Sequence, residues 1–357
     1  MNQTTLSPQA FNLSQPSLTI KNSEGQIVKG FEVLAYVIIL VVAVIGNSFL
    51  MMAYRRNVSG QMRSIYNLLV ASIAASDLLL AVWSIPERIT RVLTDDAWLV
   101  DGVLGIALCK VVNFVEKVSI TVSFLHLGAL AIDRFLAVFY PCKSMVSIRS
   151  PKITVAIIWG FSICYWGPIL YFGGLGVKDG QMVCAVREFT PYWEYWYVLF
   201  LVLLFATLVV ILVLYLLVAF KLWLRKLPGH QMSSILKGVD RSKRRMARMI
   251  SLIVAAFYIC FLPYGIGWIS CSYLVVKPKA ICNPVYKFVS ILVLHSNCSI
   301  NPIICFLFNL QYRLEWKISL QDPLGLHVNS MRKIYSRRKS STTTDFMMAV
   351  GQSNSKN

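Results

Sequence analysis

Apolar residues in this chain gather into long unbroken runs and do not alternate or recur on one face. The cleanest lie at about 33–54, 153–173, 195–220 and 249–271; three more, at about 66–86, 108–132 and 284–308, carry one or a few polar residues inside. Each is near the ~20 residues that a helix needs to cross a bilayer. Seven spans predict an all-α membrane protein, a seven-helix transmembrane bundle with its termini on opposite sides. The polar residues before the first run show neither the apolar core nor the cleavage signature of a signal peptide, so the first span is expected to start insertion.

Composition agrees: 57% of the 357 residues are hydrophobic and 14% charged, roughly half the charged share of a soluble domain. The net charge of +19 names a partner only once it is located. With the amino terminus outside, the inner segments hold Arg55, Arg56 and Arg63, then Arg134, Lys143, Arg149 and Lys152, then the basic residues from Lys221 to Arg248 and those of the tail. This satisfies the positive-inside rule. Essentially the whole excess then faces the cytoplasm and its anionic lipid, and no nucleic-acid partner is implied. The division is an extracellular tail (1–32), a seven-span domain (33–308), and a cytoplasmic helix with a disordered tail (309–357). The sequons at Asn2 and Asn12 fall outside, as glycosylation sites would; Asn57-Val58-Ser59 falls inside and should stay bare.

Of the nine cysteines, Cys164, Cys260, Cys298 and Cys305 lie within spans and are expected to be small buried packing residues. Cys109, at the outer end of the third span, and Cys184, in the second outer loop, both face an oxidising compartment, so a bridge is chemically allowed. Cys271 and Cys282 flank the last outer loop and allow a second, although nothing in the sequence fixes their geometry. A charge inside a membrane helix is costly unless paired or hydrated. Asp77 is such a charge, and Asn47, Ser123, Asn297 and Asn301 lie at comparable depth. Packed as a bundle, they would form a polar cluster able to hold water or a sodium ion, which suits oxygen ligands; no other cofactor is implied.

Several marks recur in order along the spans: Gly46-Asn47, Asp77-Leu78, Trp98 before Cys109, Asp133-Arg134-Phe135 with Tyr140-Pro141, Trp159, Phe257-x-x-Cys260-Phe261-Leu262-Pro263, and Asn301-Pro302. Over about 33–312 the chain resembles the rhodopsin-like, or class A, G-protein-coupled receptors. The resemblance implies a plasma-membrane receptor that binds an extracellular ligand in the outer half and activates a heterotrimeric G protein through Asp133-Arg134-Phe135. The chain is not expected to be an enzyme. From Cys109 to Arg134 is about 37 Å of helix, long enough to join the two faces. In the family this arginine pairs with its neighbouring acid at rest, and many members add an acid on the sixth helix. Here that position is Lys243, which cannot hold Arg134 and implies a weaker resting lock. Cys305 stands where the family has a tyrosine that bridges to Tyr215, Phe261 replaces a tryptophan, and Thr207 replaces the fifth-span proline.

The resemblance also points to ligand-binding residues. Glu116, about two turns below Cys109, occupies the position where biogenic-amine receptors carry the aspartate that pairs with the ligand ammonium, and His295 and Phe261 face the same region. Glu116 and His295 are expected to form a buried pair; neutralisation of Glu116 by Lys117 or by water is the alternative, although successive helical residues do not face each other. Leu199, Phe200 and Leu203 offer no hydroxyl for a catechol or indole, whereas Trp193, Tyr195, Trp196 and Tyr197 form an aromatic entrance or an interfacial belt. A peptide ligand is favoured, with a small amine second. A transporter is the alternative of a different class, but no internal repeat supports it. On the inner side, Phe308-Asn309-x-x-Tyr312-Arg313 resembles the start of a short amphipathic helix, and no cysteine follows Cys305 to carry a palmitoyl anchor. Arg337-Arg338-Lys339-Ser340-Ser341-Thr342-Thr343-Thr344 would admit a receptor kinase and then arrestin, each phosphate adding about −1.5 to −2 of charge.

Overall fold

The computed structural model describes residues 16–57, 62, 64–140, 151–178, 180–185, 193–224, 234–274, 276 and 278–321; side chains are described from residue 25 onward, except those of 178, 185, 193, 194, 197, 222–224, 234–247 and 273. The elements run α1 (Pro16–Arg56), α2 (Ile65–Thr94), α3 (Gly102–Phe139), α4 (Pro151–Trp166), α5 (Pro168–Phe172), β1 (Gly174–Lys178), β2 (Gln181–Ala185), α6 (Trp193–Leu224), α7 (Ser234–Tyr273), α8 (Pro284–Phe308) and α9 (Leu310–Gln321). Among the described residues seven stretches are long and apolar enough to cross a membrane: Gly25–Arg56, Ile65–Thr94, Gly102–Phe139, Pro151–Phe172, Val198–Lys221, Arg248–Ser272 and Pro284–Phe308. A helix meets the demand of lipid because it satisfies its own backbone groups.

Local chemistry sets where the helices start and stop. Ser64 caps α2 by accepting from Asn67 N at 3.2 Å, and Asp95, at φ 54, closes its far end with its N–H on Arg91 O. Asn283 caps α8 by accepting from Tyr286 N at 2.8 Å, with Pro284 in the first turn, where its missing donor is no loss. Several helices continue beyond the apolar runs. The 41 residues of α1 measure about 60 Å, twice the ~30 Å hydrocarbon layer, so residues 16–32 are helical and continuous with the first span, where a tail was expected. The side chains that carry the Asn2 and Asn12 sequons, the Lys243 side chain and the Ser/Thr tail lie outside the described residues.

Packing centres on α3, which touches α2, α4, α5, α6, α7 and both strands. Trp166 and Trp159 dock α4 through indole donors, to Thr121 Oγ1 at 2.7 Å and to Ser72 Oγ at 2.9 Å. The first and seventh spans meet at Gly46: a Cβ there would lie 2.7 Å from Pro302 Cβ and Cγ. Past Asn309, α9 folds back on the bundle; Tyr312 donates to Asn67 Oδ1 at 3.2 Å and Trp316 meets Phe49 edge-on at 4.9 Å.

The antiparallel hairpin β1–β2 was not foreseen. Its register pairs Leu175 with Cys184, and Cys184 is disulfide-bonded to Cys109, with Cα atoms 5.6 Å apart. Trp98 N donates to Met182 O at 2.7 Å, tying the first outer loop to the same hairpin. Cys271 and Cys282 are also bonded, Cα to Cα 5.5 Å. The disulfide-bearing end of the bundle is the outer end in the orientation expected from charge.

Candidate functional site

Polar groups occur at three depths along α3. The outermost is an ion network around Glu116, only 3% exposed. Arg88 Nη2 donates to Glu116 Oε2 at 2.8 Å and Lys117 Nζ to Oε1 at 2.9 Å. On the other side of Arg88, Nε lies 3.5 Å from Glu87 Oε2, and Arg91 Nε pairs with Glu87 Oε1. The expected pairing with His295 takes second place: its Nε2 is 4.0 Å from Glu116 Oε2, while Nδ1 lies 2.8 Å from Ile291 O. Lys117 reaches its neighbour despite the helical geometry because its flexible four-carbon stem folds back and keeps its charge off the apolar core. Arg88 was missed because the second span was ended at residue 86. Glu87-Arg88-x-x-Arg91, placed one turn further along the same helix, is the signal that would have found it.

Phe261 sits in the apolar core, stacked on Phe257 with ring centroids 4.9 Å apart and 14° between planes. Of the fifth-span trio only Phe200 turns inward, against Trp166 at 4.7 Å; Leu199 and Leu203 are exposed, as lipid-facing residues are. Tyr195 is also exposed, and Trp196 packs on Tyr165 at 4.7 Å. The Trp193 and Tyr197 side chains lie outside the described residues.

At mid-depth Asp77 accepts from Asn301 Nδ2 at 2.9 Å and from Ser123 Oγ at 3.2 Å, and Ser76 Oγ lies 3.0 Å from Ser123 Oγ. Asn47 turns its amide to Ala43 O at 2.9 Å and Cys298 O at 2.8 Å, stitching the first span to the seventh and making no bond to Asp77. Among the described residues, Oδ1 of Asn47, Asn297 and Asn301 are buried without a hydrogen-bond partner. A buried acid with unpartnered amide oxygens on neighbouring spans is a donor set that fits a hard cation or water.

At the inner end Arg134 Nε donates to Asp133 Oδ2 at 2.9 Å. Its guanidinium carbon also stands 5.8 Å from the ring centroid of Tyr66, whose hydroxyl donates to Met249 Sδ at 3.6 Å. Tyr66 therefore joins α2 to the arginine of α3 and to the sixth span, a role that an aromatic inside an apolar run does not advertise. Tyr215 is buried, and its hydroxyl has no partner among the described residues; Cys305 lies in the same core cluster.

Thus one helix carries the disulfide at the outer mouth, the Glu116 network, Ser123 at mid-depth and the Asp133–Arg134 pair. The family described as "7 transmembrane receptor (rhodopsin family)" matches residues 46–305, most of the chain, from the later part of the first span to near the end of the seventh. The chain belongs to the rhodopsin-like, class A, seven-transmembrane receptors. Similar members include the RYamide receptor of Drosophila melanogaster, 28% identical over 293 residues that cover 78% of this chain and 60% of that receptor. The substance-P receptor of Cavia porcellus is 26% identical over 84% of this chain and 74% of its own, and the human galanin receptor type 2 is 29% identical over 82% and 73%. These relatives are receptors, not enzymes, and this class A chain is a multi-pass membrane protein with seven spans.

Proposed function

We propose that this class A receptor takes an extracellular peptide at the outer end of the bundle and, on binding it, activates a heterotrimeric G protein at the inner end. The observation that carries the proposal is the continuity of α3 from Cys109 through Glu116 and Ser123 to Arg134. Ligand enters beside the β1–β2 hairpin, which Cys109–Cys184 holds over the mouth. The stacked Phe257 and Phe261 pass the displacement to the sixth span, whose inner part leaves Tyr66 and frees Arg134. Relatives named for RYamide, substance P and galanin support a peptide over an amine. So does Glu116: both of its oxygens are held by cations of the chain, and an ammonium ligand would have to displace one of them.

Asp77, Ser123, Asn297 and Asn301 would hold a sodium ion that stabilises the resting arrangement, with Asn47 bracing the adjoining spans. The amino terminus would face outward with Asn2 and Asn12 glycosylated. On the inner side Lys243 and its basic neighbours would meet anionic lipid and the G protein, and the phosphorylated tail would dock arrestin.

The test is a screen of a synthetic peptide library and an amine library on cells expressing the full chain, reading several G-protein pathways. At least one peptide is expected to raise signalling above cells lacking the receptor. Response to amines alone, or to no compound in either library, contradicts the proposal.

A further inference from the structure

The outer ion network carries one cation too many. Among the described residues, Arg88, Arg91 and Lys117 are paired at close range with Glu87 and Glu116, and all five side chains are at most 21% exposed. Among the described residues, the further carboxylates paired at this end, Asp95 and Asp96, sit at the rim. Asp96, 59% exposed, is 3.9 Å from Arg91 and 3.6 Å from Lys287; Asp95, 72% exposed, pairs with Lys29 at 2.7 Å. Such solvated charges offset little of a buried excess. His295 is neutral or cationic and cannot supply the missing negative charge. Within the network both oxygens of Glu116 are occupied, while Arg88 Nε, 3.5 Å from Glu87 Oε2, is buried with no hydrogen-bond partner among the described residues.

An unbalanced positive charge in a membrane bundle is destabilising until an anion joins it. We propose that the Arg88–Lys117 face is the subsite for a carboxylate of the ligand, either a free C-terminus or an Asp or Glu side chain of the peptide. This rests on the peptide-receptor reading above and reverses the sign that Glu116 alone suggested. A guanidinium can donate two N–H bonds to one carboxylate, and Lys117 adds a point charge beside it. Once the carboxylate is seated, three cations face three anions.

The subsite also explains why a receptor would keep an unbalanced network: stability of the empty state is given up for affinity toward an acidic ligand. Lys117→Gln leaves two cations against two carboxylates. That variant should reach the cell surface and, purified as the full chain, melt at or above the wild-type temperature.

The experiment uses each active peptide from the library in matched forms: free acid against C-terminal amide, and each Asp or Glu against Asn or Gln. On the wild type, neutralising one particular carboxylate is expected to lower potency by roughly tenfold to a hundredfold, the range of a charge-assisted hydrogen bond. On Lys117→Gln, which keeps the Arg88 guanidinium and removes the surplus cation, the same change should cost at least about threefold less than on the wild type. The sensitive position tells whether the carboxylate is terminal or on a side chain. An active peptide whose carboxylates can all be neutralised without loss overturns this inference and leaves the peptide-receptor reading standing. So does an equal loss on both receptors, or a Lys117→Gln chain that fails to reach the surface. A library with no active peptide overturns both.

Discussion

Removing the negative charge of Glu116 while keeping its shape, by Glu116→Gln, tests the network most severely. In the native arrangement the carboxylate separates two cations, Arg88 Nη2 at 2.8 Å and Lys117 Nζ at 2.9 Å. With an amide in its place the two face each other across about 5–6 Å. At an effective dielectric of about 20 that repulsion is about 3 kcal/mol. Breaking a buried ion pair by removing one partner typically costs about 3–5 kcal/mol. Both routes place the loss near 3–5 kcal/mol, enough to reduce surface expression and lower the melting temperature of the purified receptor by several degrees. Adding Lys117→Met removes one of the facing cations and should recover at least half of the loss; a neutral substitution of similar volume elsewhere in the core should recover none. Thermal unfolding of single and double variants in detergent, with surface labelling on cells, reads this. If Glu116→Gln melts within about a degree of wild type, or if Lys117→Met rescues nothing, the charge accounting of the outer half is wrong.

Tyr66→Leu removes the ring that Arg134 faces and the hydroxyl on Met249; with a cation–π contact worth about 1 kcal/mol, basal G-protein signalling should rise roughly fivefold, while Tyr66→Phe, which keeps the ring, should rise much less. An unchanged basal level in Tyr66→Leu at equal surface expression would remove Tyr66 from the resting lock. Gly46→Val puts a side chain where even a Cβ would lie 2.7 Å from Pro302; overpacking of this kind costs about 1–3 kcal/mol and should be visible as reduced surface expression. Sodium chloride, compared with N-methylglucamine chloride at equal ionic strength, should raise the melting temperature of the purified receptor, and Asp77→Asn should abolish that difference; an equal effect in the variant would place the ion elsewhere.

The seven spans were legible because membrane solvation imposes a one-dimensional signal, about twenty apolar residues in a row, that needs no partner to be read. Asp77 stood out for a related reason, since a carboxylate within a span is costly unless the bundle pairs or hydrates it, whereas Gly46 and Arg134 stood out only through the family resemblance. Helix ends were not, since α1 and α2 continue through polar residues once neighbours support them. That error hid Arg88, which looked like a loop charge until α2 was seen to run to Thr94. The hairpin was hidden because Gly174–Lys178 and Gln181–Ala185 owe their pairing to a disulfide and to a turn at Gly180, φ 78, and not to any alternating pattern. Tyr66 was hidden because a tyrosine among apolar residues is ordinary in sequence, and only the fold brings Arg134 over it.

In the proposed mechanism, occupancy of the outer end is transmitted along the bundle to Arg134. The most direct measurement of this is nucleotide exchange on a purified heterotrimeric G protein by the full chain in lipid nanodiscs, with an active peptide from the library, for wild type and Arg134→Ala. Peptide should accelerate exchange on wild type and not on Arg134→Ala, although both bind the peptide at the outer end. Equal acceleration by the two receptors would show that the signal does not pass through Arg134.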